Sequence, residues 1–189
     1  MAAIRTFIAI ETPESVRRAI IGVQNELRKS NADVRWEGEE KLHATVKFLG
    51  NVEEKILPSV LERIRTVAGE SDRCTVVFET VGFFPDKRHP RVVWMGCTNP
   101  DGKLEKLKIM LDKELRPFGF EIESRSFRPH ITLGRIKSEK RILHLISISE
   151  KVTFEPRSSV VAEIVAMKSV LQTGGSKYSL LQKFQLKPE

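Results

Sequence analysis

Leu42-His43-Ala44-Thr45-Val46-Lys47-Phe48-Leu49-Gly50 and Phe127-Arg128-Pro129-His130-Ile131-Thr132-Leu133-Gly134-Arg135 share one local grammar: histidine, apolar residue, threonine, apolar residue. The two histidines are 87 positions apart in a chain that has only four. Residues i and i+2 of a strand point to the same face, so each histidine is expected to travel with its threonine. In the first run this alternation puts Ala44, Val46 and Phe48 on one face and His43, Thr45 and Lys47 on the other. An apolar core behind and a wet, functional face in front is the natural reading. The chain has ten threonines in 189 residues, so two such pairings among four histidines are roughly a 1–2% event by composition alone. The structural alternative is that each histidine caps a strand end and bonds a neighbouring carbonyl.

Working outward, Arg5 to Glu11 reads as an opening strand. Thr12-Pro13-Glu14 predicts a helix start, with Thr12 as N-cap and Pro13 at the first helical position. Val16, Ile20, Val23 and Leu27 then line one face of a helix reaching about Lys29. Val34 to Glu37 reads as a short strand. A second helix carries Ile56, Leu57, Val60, Leu61, Ile64 and Val67 on one face and is closed by Gly69. Thr75 to Phe83 and Arg91 to Cys97 predict strands joined by the basic loop 85–90, and Lys103 to Leu115 predicts a third helix. A strand near Phe120 to Ser124, the His130 strand and a short helix from Ser138 to about Ile146 follow. Two closing strands, Val161 to Leu171 and Tyr178 to Leu186, are expected to meet in a hairpin through Gly174-Gly175. Each motif strand runs through a polar turn into a helix, a weak internal repeat. It predicts one two-lobed domain over residues 1–189, each lobe giving one motif to a central cleft.

Net charge is +7, of which +1 falls in residues 1–94 and +6 in 95–189. A basic half suits a polyanionic partner and equally suits simple solubility. The N-terminal apolar run is cut by Arg5 and Glu11 and lacks a signal-peptide pattern, and no stretch reaches transmembrane length. The expectation is a cytoplasmic protein without a membrane partner. Cys74 and Cys97 lack metal-site spacing and read as reduced thiols.

Imidazole titrates near neutrality, so a pair can divide the labour of base and acid in one step. For displacement at phosphorus the attacking and departing oxygens lie roughly in line, so two histidines from opposed lobes suit a phosphate between them. Threonine hydroxyls suit its remaining oxygens. A metal site fits less well: each strand offers one histidine followed by threonine, and His89 and His144 fall in a loop and on a helix without grouped carboxylates. No nucleophile elbow and no phosphate-loop signature is present. Lys47, expected beside His43, and Arg128, two residues before His130, are candidates to balance phosphate charge; both read equally well as solvated surface charges. Parity puts Arg135 on the strand face opposite His130. Phe7, Phe48 and Trp36 are expected to pack in the core rather than stack a base.

At these residues the chain resembles the two-histidine phosphoesterase superfamily, and most closely the prokaryotic RNA 2′,3′-cyclic phosphodiesterases, historically called 2′-5′ RNA ligases. The resemblance runs nearly end to end. It rests on the Arg5-Thr6-Phe7-Ile8-Ala9-Ile10 opening, both motif runs and the closing 171–186 hairpin with Tyr178. It implies a bilobal α+β fold with lobes related by a pseudo-two-fold, antiparallel sheets flanked by helices, and the active-site cleft between the lobes. It further implies hydrolysis of terminal RNA 2′,3′-cyclic phosphate to a 2′-phosphomonoester, without metal or other cofactor; the chain is separately expected to act as a monomer. By position, His43 is then the proton donor to the departing 3′ oxygen, His130 the proton acceptor from water, and Thr45 and Thr132 the phosphate-binding pair. Two other readings keep the cleft: ATP-independent 2′-5′ RNA ligation or 2′-5′ phosphodiester cleavage, and a non-enzymatic RNA- or nucleotide-binding module.

Overall fold

In the computed structural model, residues 2–123, 126–173 and 175–188 are described. Nine strands and four helices are assigned among them: β1 Ala3–Glu11, α1 Glu14–Arg28, β2 Val34–Trp36, β3 His43–Glu53, α2 Leu57–Glu70, β4 Cys74–Phe84, β5 Val92–Thr98, α3 Lys103–Leu115, β6 His130–Ile136, α4 Ile142–Lys151, β7 Arg157–Val161, β8 Glu163–Gln172 and β9 Gly175–Gln185. The strands line up as β7-β4-β5-β6-β3-β1-β8-β9, with β2 beside β6, and each strand pairs antiparallel with its neighbours. This path divides at its centre. The four strands β6-β5-β4-β7 on one side mirror β3-β1-β8-β9 on the other, and the motif strands β6 and β3 are the innermost of each set. They join through one register pair, Ala44 opposite Ile131. The expected bilobal α+β architecture is therefore present, its two halves meeting at the middle residues of the two His-x-Thr units.

The helices pack on one side. Val16, Ile20, Val23 and Leu27 of α1, Val60, Ile64 and Val67 of α2, and Leu104, Leu107 and Leu111 of α3 share one buried core with Ile8, Ile10, Ala44, Val46, Ile131 and Leu133 of the sheet. Strand β1 is covered on its other face too: Phe7, Ala9 and Val165 form a second small cluster with Met167 and Tyr178. That second face carries the site.

Strand parity fails after the threonine in each motif strand, and for the same reason; β3 is irregular a second time at Leu49, between Phe48 and Gly50. Ala9 of β1 faces Thr45, but the next pair is Ile8 with Lys47, so β3 has an extra residue, Val46. Trp94 of β5 faces Thr132, but the next pair is Val93 with Gly134, so β6 has an extra residue, Leu133. A β-bulge inserts one residue and reverses the side-chain alternation beyond it. The apolar residue after each threonine is thus the bulged one. In β3 the reversal sends Lys47 into the core, 1% exposed, and turns Phe48 out to 61%. In β6 the residue equivalent to Lys47 is Gly134, where an added Cβ would lie 2.6 Å from Val34 Cγ1 and 3.0 Å from the Trp36 ring. Arg135 is returned to the cleft face, paired with Val92 as Thr132 is with Trp94.

Other departures are local. Pro13 is itself the N-cap of α1 and, among the described residues, no side chain caps it and the buried Thr12 Oγ1 has no partner; the Thr12 carbonyl takes Arg17 Nη2 at 3.0 Å. Helix α2 runs through Gly69 and stops where Ser71 Oγ donates to the Val67 carbonyl at 2.7 Å. Phe120 to Glu123 form no strand, and Ser124 lies outside the described residues. Instead Lys47 Nζ holds the Glu121 carbonyl at 2.9 Å. Helix α4 begins only at Ile142, because Arg141 sits at φ 56 and breaks the helical run from Ser138. The edge strand β7 is not predicted by the residue pattern, since its exposed Arg-Ser-Ser run has no apolar alternation to announce it. Strands β8 and β9 do form the closing hairpin; Gly174 lies outside the described residues.

Candidate active site

Strand geometry places His43 with Thr45 and His130 with Thr132 on the face opposite the helices, since both bulges come after the threonines. All four side chains are half-buried. The structural alternative for the histidines is realised as well. His130 Nδ1 lies 2.8 Å from the Arg128 carbonyl, and the His43 ring hydrogen-bonds the backbone of Lys41. In both motifs the partner is the residue two positions upstream. A carbonyl can only accept, so His130 Nδ1 carries the hydrogen and its Nε2 is left to exchange protons with a ligand. The anchored nitrogen and the available one are different atoms of one ring.

Each imidazole is walled by two aromatic rings from its own lobe. His43 stacks on Phe7 at 4.9 Å and 23° and meets the Tyr178 edge at 5.2 Å. His130 meets Phe84 edge-on at 4.9 Å and Trp94 at 6.3 Å. The Trp94 ring lies across β4, and a Cβ on Gly82 would fall 2.2 Å from it, so only glycine admits it there. Burial against Phe7 pushes the His43 imidazole down to about 4, the backbone bond to Lys41 opposing this only in part. Unliganded, His43 is neutral at pH 7.

Neither Thr45 nor Thr132 donates its hydroxyl to another described residue. Arg128 is exposed and lines, with Phe127, Trp94, Thr80 and Asn99, a cavity of about 340 Å³ beside His130. Lys47 is not brought to the site. Its Nζ is bound at 2.6 Å to Asp112 Oδ1, whose other oxygen takes Lys108 Nζ. The bulge is the physical reason: it reverses the face on which Lys47 was expected. The same reversal brings in Arg135, which alternation alone sets on the far face; its Nε pairs with Glu37 Oε1 at 3.3 Å. Of the aromatic residues expected in the core, Phe7 is buried and Trp36 partly so beneath Arg28, whereas Phe48 stands in solvent. Cys74 and Cys97 are free and buried, and burial pushes the Cys74 thiol up to about 12 and Cys97 higher still, so neither is a ready nucleophile. His144 bonds the Ser30 carbonyl at 3.2 Å, remote from both motifs in the sheet.

Two halves of one sheet, each offering a carbonyl-anchored histidine and an unengaged threonine hydroxyl to a shared face, define a two-histidine phosphoesterase. The chain belongs to the LigT-like phosphoesterase family, whose model matches residues 10–94 and 97–178. It is similar to the RNA 2′,3′-cyclic phosphodiesterase of Thermotoga maritima, 35% identical over 187 residues that cover 96% of this chain and 95% of the relative. The RNA 2′,3′-cyclic phosphodiesterase of Methanothermobacter thermautotrophicus is 32% identical over 184 residues, 97% of this chain and 99% of the relative. Among solved structures, TT0787 of Thermus thermophilus superposes with a TM-score of 0.81 at 25% identity, covering 98% and 99% of the two chains. Escherichia coli LigT complexed with 3′-AMP gives 0.76 at 27% identity, covering 97% and 98%.

Proposed function

We propose that this chain hydrolyses the 2′,3′-cyclic phosphate at RNA ends to a 2′-phosphomonoester, residues 1–189 acting as one two-lobed, monomeric unit and without a metal. The observation that carries the reading is the symmetric presentation of His43 with Thr45 and His130 with Thr132 about the Ala44–Ile131 pair. Water attacks phosphorus while His130 Nε2 takes its proton, and the bond to the 3′ oxygen breaks as His43 supplies the proton that oxygen needs. One P–O bond forms and one breaks; His130 gains the proton that water loses, and His43 gives up the proton that the 3′ oxygen gains. Thr45 and Thr132 donate to the phosphate oxygens as charge develops, and Arg128 balances charge from the His130 side.

The donor role has a condition. With its proton affinity lowered by burial, His43 is neutral in the empty site at pH 7. An anion set against the ring favours the protonated form, so substrate binding loads the donor. The deciding experiment offers a 2′,3′-cyclic nucleotide in excess chelator to the wild type, His43→Ala and His130→Ala. Turnover to the 2′-phosphate that survives chelation and falls at least about a thousandfold in both variants is expected, two proton transfers being lost in part. Turnover retained by either variant, or abolished by chelator, overturns the reading.

A further inference from the structure

One end of the cleft holds a cluster of cations that the hydrolytic step does not use. Strand β2 lies beside β6 with Arg35 directly opposite Arg135, and opposed residues share a face. Glu37, 12% exposed at its side chain, binds Arg135 Nε through Oε1 at 3.3 Å and approaches Lys41 Nζ through Oε2 at 3.7 Å. Arg35 is half-buried and makes no hydrogen bond or ion pair among the described residues. The β8–β9 hairpin closes over them: a Cβ on Gly175 would lie 3.6 Å from Lys41 Nζ and 3.8 Å from the Arg35 guanidinium carbon. Two cations thus share one carboxylate, and Arg35 lies beside them in a partly sheltered place with no counter-charge among the described residues. Such an excess of positive charge is costly unless an anion completes it, and a planar guanidinium is the group best shaped for phosphate.

The cluster is not a by-product of the duplicated motif. The residue of the first motif that corresponds to Arg135 is Phe48, so the two ends of the cleft differ in chemistry, one cationic and one aromatic. One member of the cluster also leaves the chain close to the first histidine. The Lys41 backbone holds the His43 ring, and two residues span at most roughly 7 Å of chain. That is on the order of one nucleotide step along an extended RNA backbone.

We propose that Arg35, Lys41 and Arg135, organised by Glu37, bind the phosphodiester linking the terminal nucleotide to its 5′ neighbour, so that the enzyme selects an RNA end over a cyclic mononucleotide. This rests on the cyclic phosphodiesterase reading above. Two substrates separate the terms: a 2′,3′-cyclic mononucleotide, which lacks that phosphodiester, and a diribonucleotide ending in a 2′,3′-cyclic phosphate. Arg35→Gln is expected to lower kcat/KM for the dinucleotide about tenfold, chiefly through KM, as for loss of a charged hydrogen bond. Mononucleotide turnover should stay within about twofold of wild type, and the salt dependence of the dinucleotide KM should flatten as phosphate contacts are lost. Equal losses on both substrates, or none on either, overturn the proposal, as does a wild type that does not prefer the dinucleotide. Binding of a 5′-labelled diribonucleotide 2′-phosphate, against a labelled mononucleotide 2′-phosphate, makes the same comparison without turnover. A wild type that hydrolyses neither substrate therefore overturns the activity reading, while the binding ratio still decides the subsite.

Discussion

Ala44 and Ile131 face each other as the single register pair joining β3 to β6. Each is the middle residue of its His-x-Thr unit, and both are buried on the helix side of the sheet. The histidine and threonine of each unit flank that pair on the opposite face, so the spacing between the two His-Thr sets is governed by one narrow seam. The rest of each half is held by longer ladders, such as β1 with β3 and β8 with β9. A single seam between two well-braced halves is where a small change in packing moves the two imidazoles relative to each other with least effect on either half.

Ala44→Leu tests this. Three extra carbons at a site 1% exposed are expected to cost about 1–3 kcal/mol by overpacking, a modest loss in a denaturant titration. The catalytic loss should be larger, about a hundredfold in kcat, because a displacement near 1 Å between acid and base is felt strongly. A variant that keeps kcat while losing stability would show that the seam does not set the spacing.

Behind the seam, Asp112 neutralises Lys47 and Lys108 together in the core. Asp112→Ala leaves two buried ammonium groups without a counter-charge and is expected to destabilise by about 3–5 kcal/mol. Lys47→Met leaves Asp112 its Lys108 partner and keeps the apolar stem, so its cost should be clearly smaller. Chemical denaturation of both variants ranks them, and the opposite order would contradict the role given to Asp112. Lys47→Met also frees the Glu121 carbonyl, so faster amide exchange is expected around residues 120–123.

Much of the molecule is legible from residue order, because amphipathic helices and alternating strands advertise their buried faces. Helix α3 starts and ends where its leucine spacing predicts, and both motif strands lie where the repeated tripeptide places them. What alternation cannot show is the bulge after each threonine. A bulge is a relation between two strands, visible only once the partner's register is known: Ala9 with Thr45, then Ile8 with Lys47. Its consequences are the three residues that alternation puts on the wrong face, Lys47, Phe48 and Arg135. One trace is present in the sequence. Lys47 follows the apolar Val46 and precedes an apolar pair, and Gly134 occupies the matching position, a pattern that strict alternation leaves unexplained. The segment 120–123 has apolar residues suited to a strand but pairs with no strand among the described residues.

His43 gives a pH dependence of stability with a definite sign. Burial lowers its folded-state proton affinity from the ordinary 6.5 to about 4. Between those values the unfolded chain binds the extra proton and the folded chain does not, so stability falls as the pH is lowered from 6.5 to 4. The full effect of a shift of this size is about 3 kcal/mol. It is present in full above pH 6.5 and lost by pH 4. Carboxylates contribute their own acid sensitivity, so the measurement is a difference. Unfolding free energies of the wild type and His43→Gln, taken at pH 7 and pH 4.5, should converge as the pH falls, the wild type losing more. Parallel curves would contradict the burial of a neutral imidazole.

The same group couples anion binding to protons. If an anion in the cleft favours protonated His43, the complex holds a proton that the free protein lacks at pH values between about 4 and the raised value in the complex. Linkage then requires affinity to increase as pH falls through that window, by up to about tenfold per pH unit for one proton. Inorganic sulfate is the probe, because it does not itself titrate in this range and presents oxygens to Thr45 and Thr132 much as phosphate would. Calorimetric titrations at pH 7, 6 and 5, in buffers of differing ionisation enthalpy, should show tighter binding and proton uptake toward acid. His130 remains in place in His43→Gln, so residual coupling in that variant measures the other imidazole, and the difference from wild type isolates His43. Sulfate affinity equal at all three pH values in the wild type would mean that the anion does not lie against His43, and that the donor must be loaded by some other route.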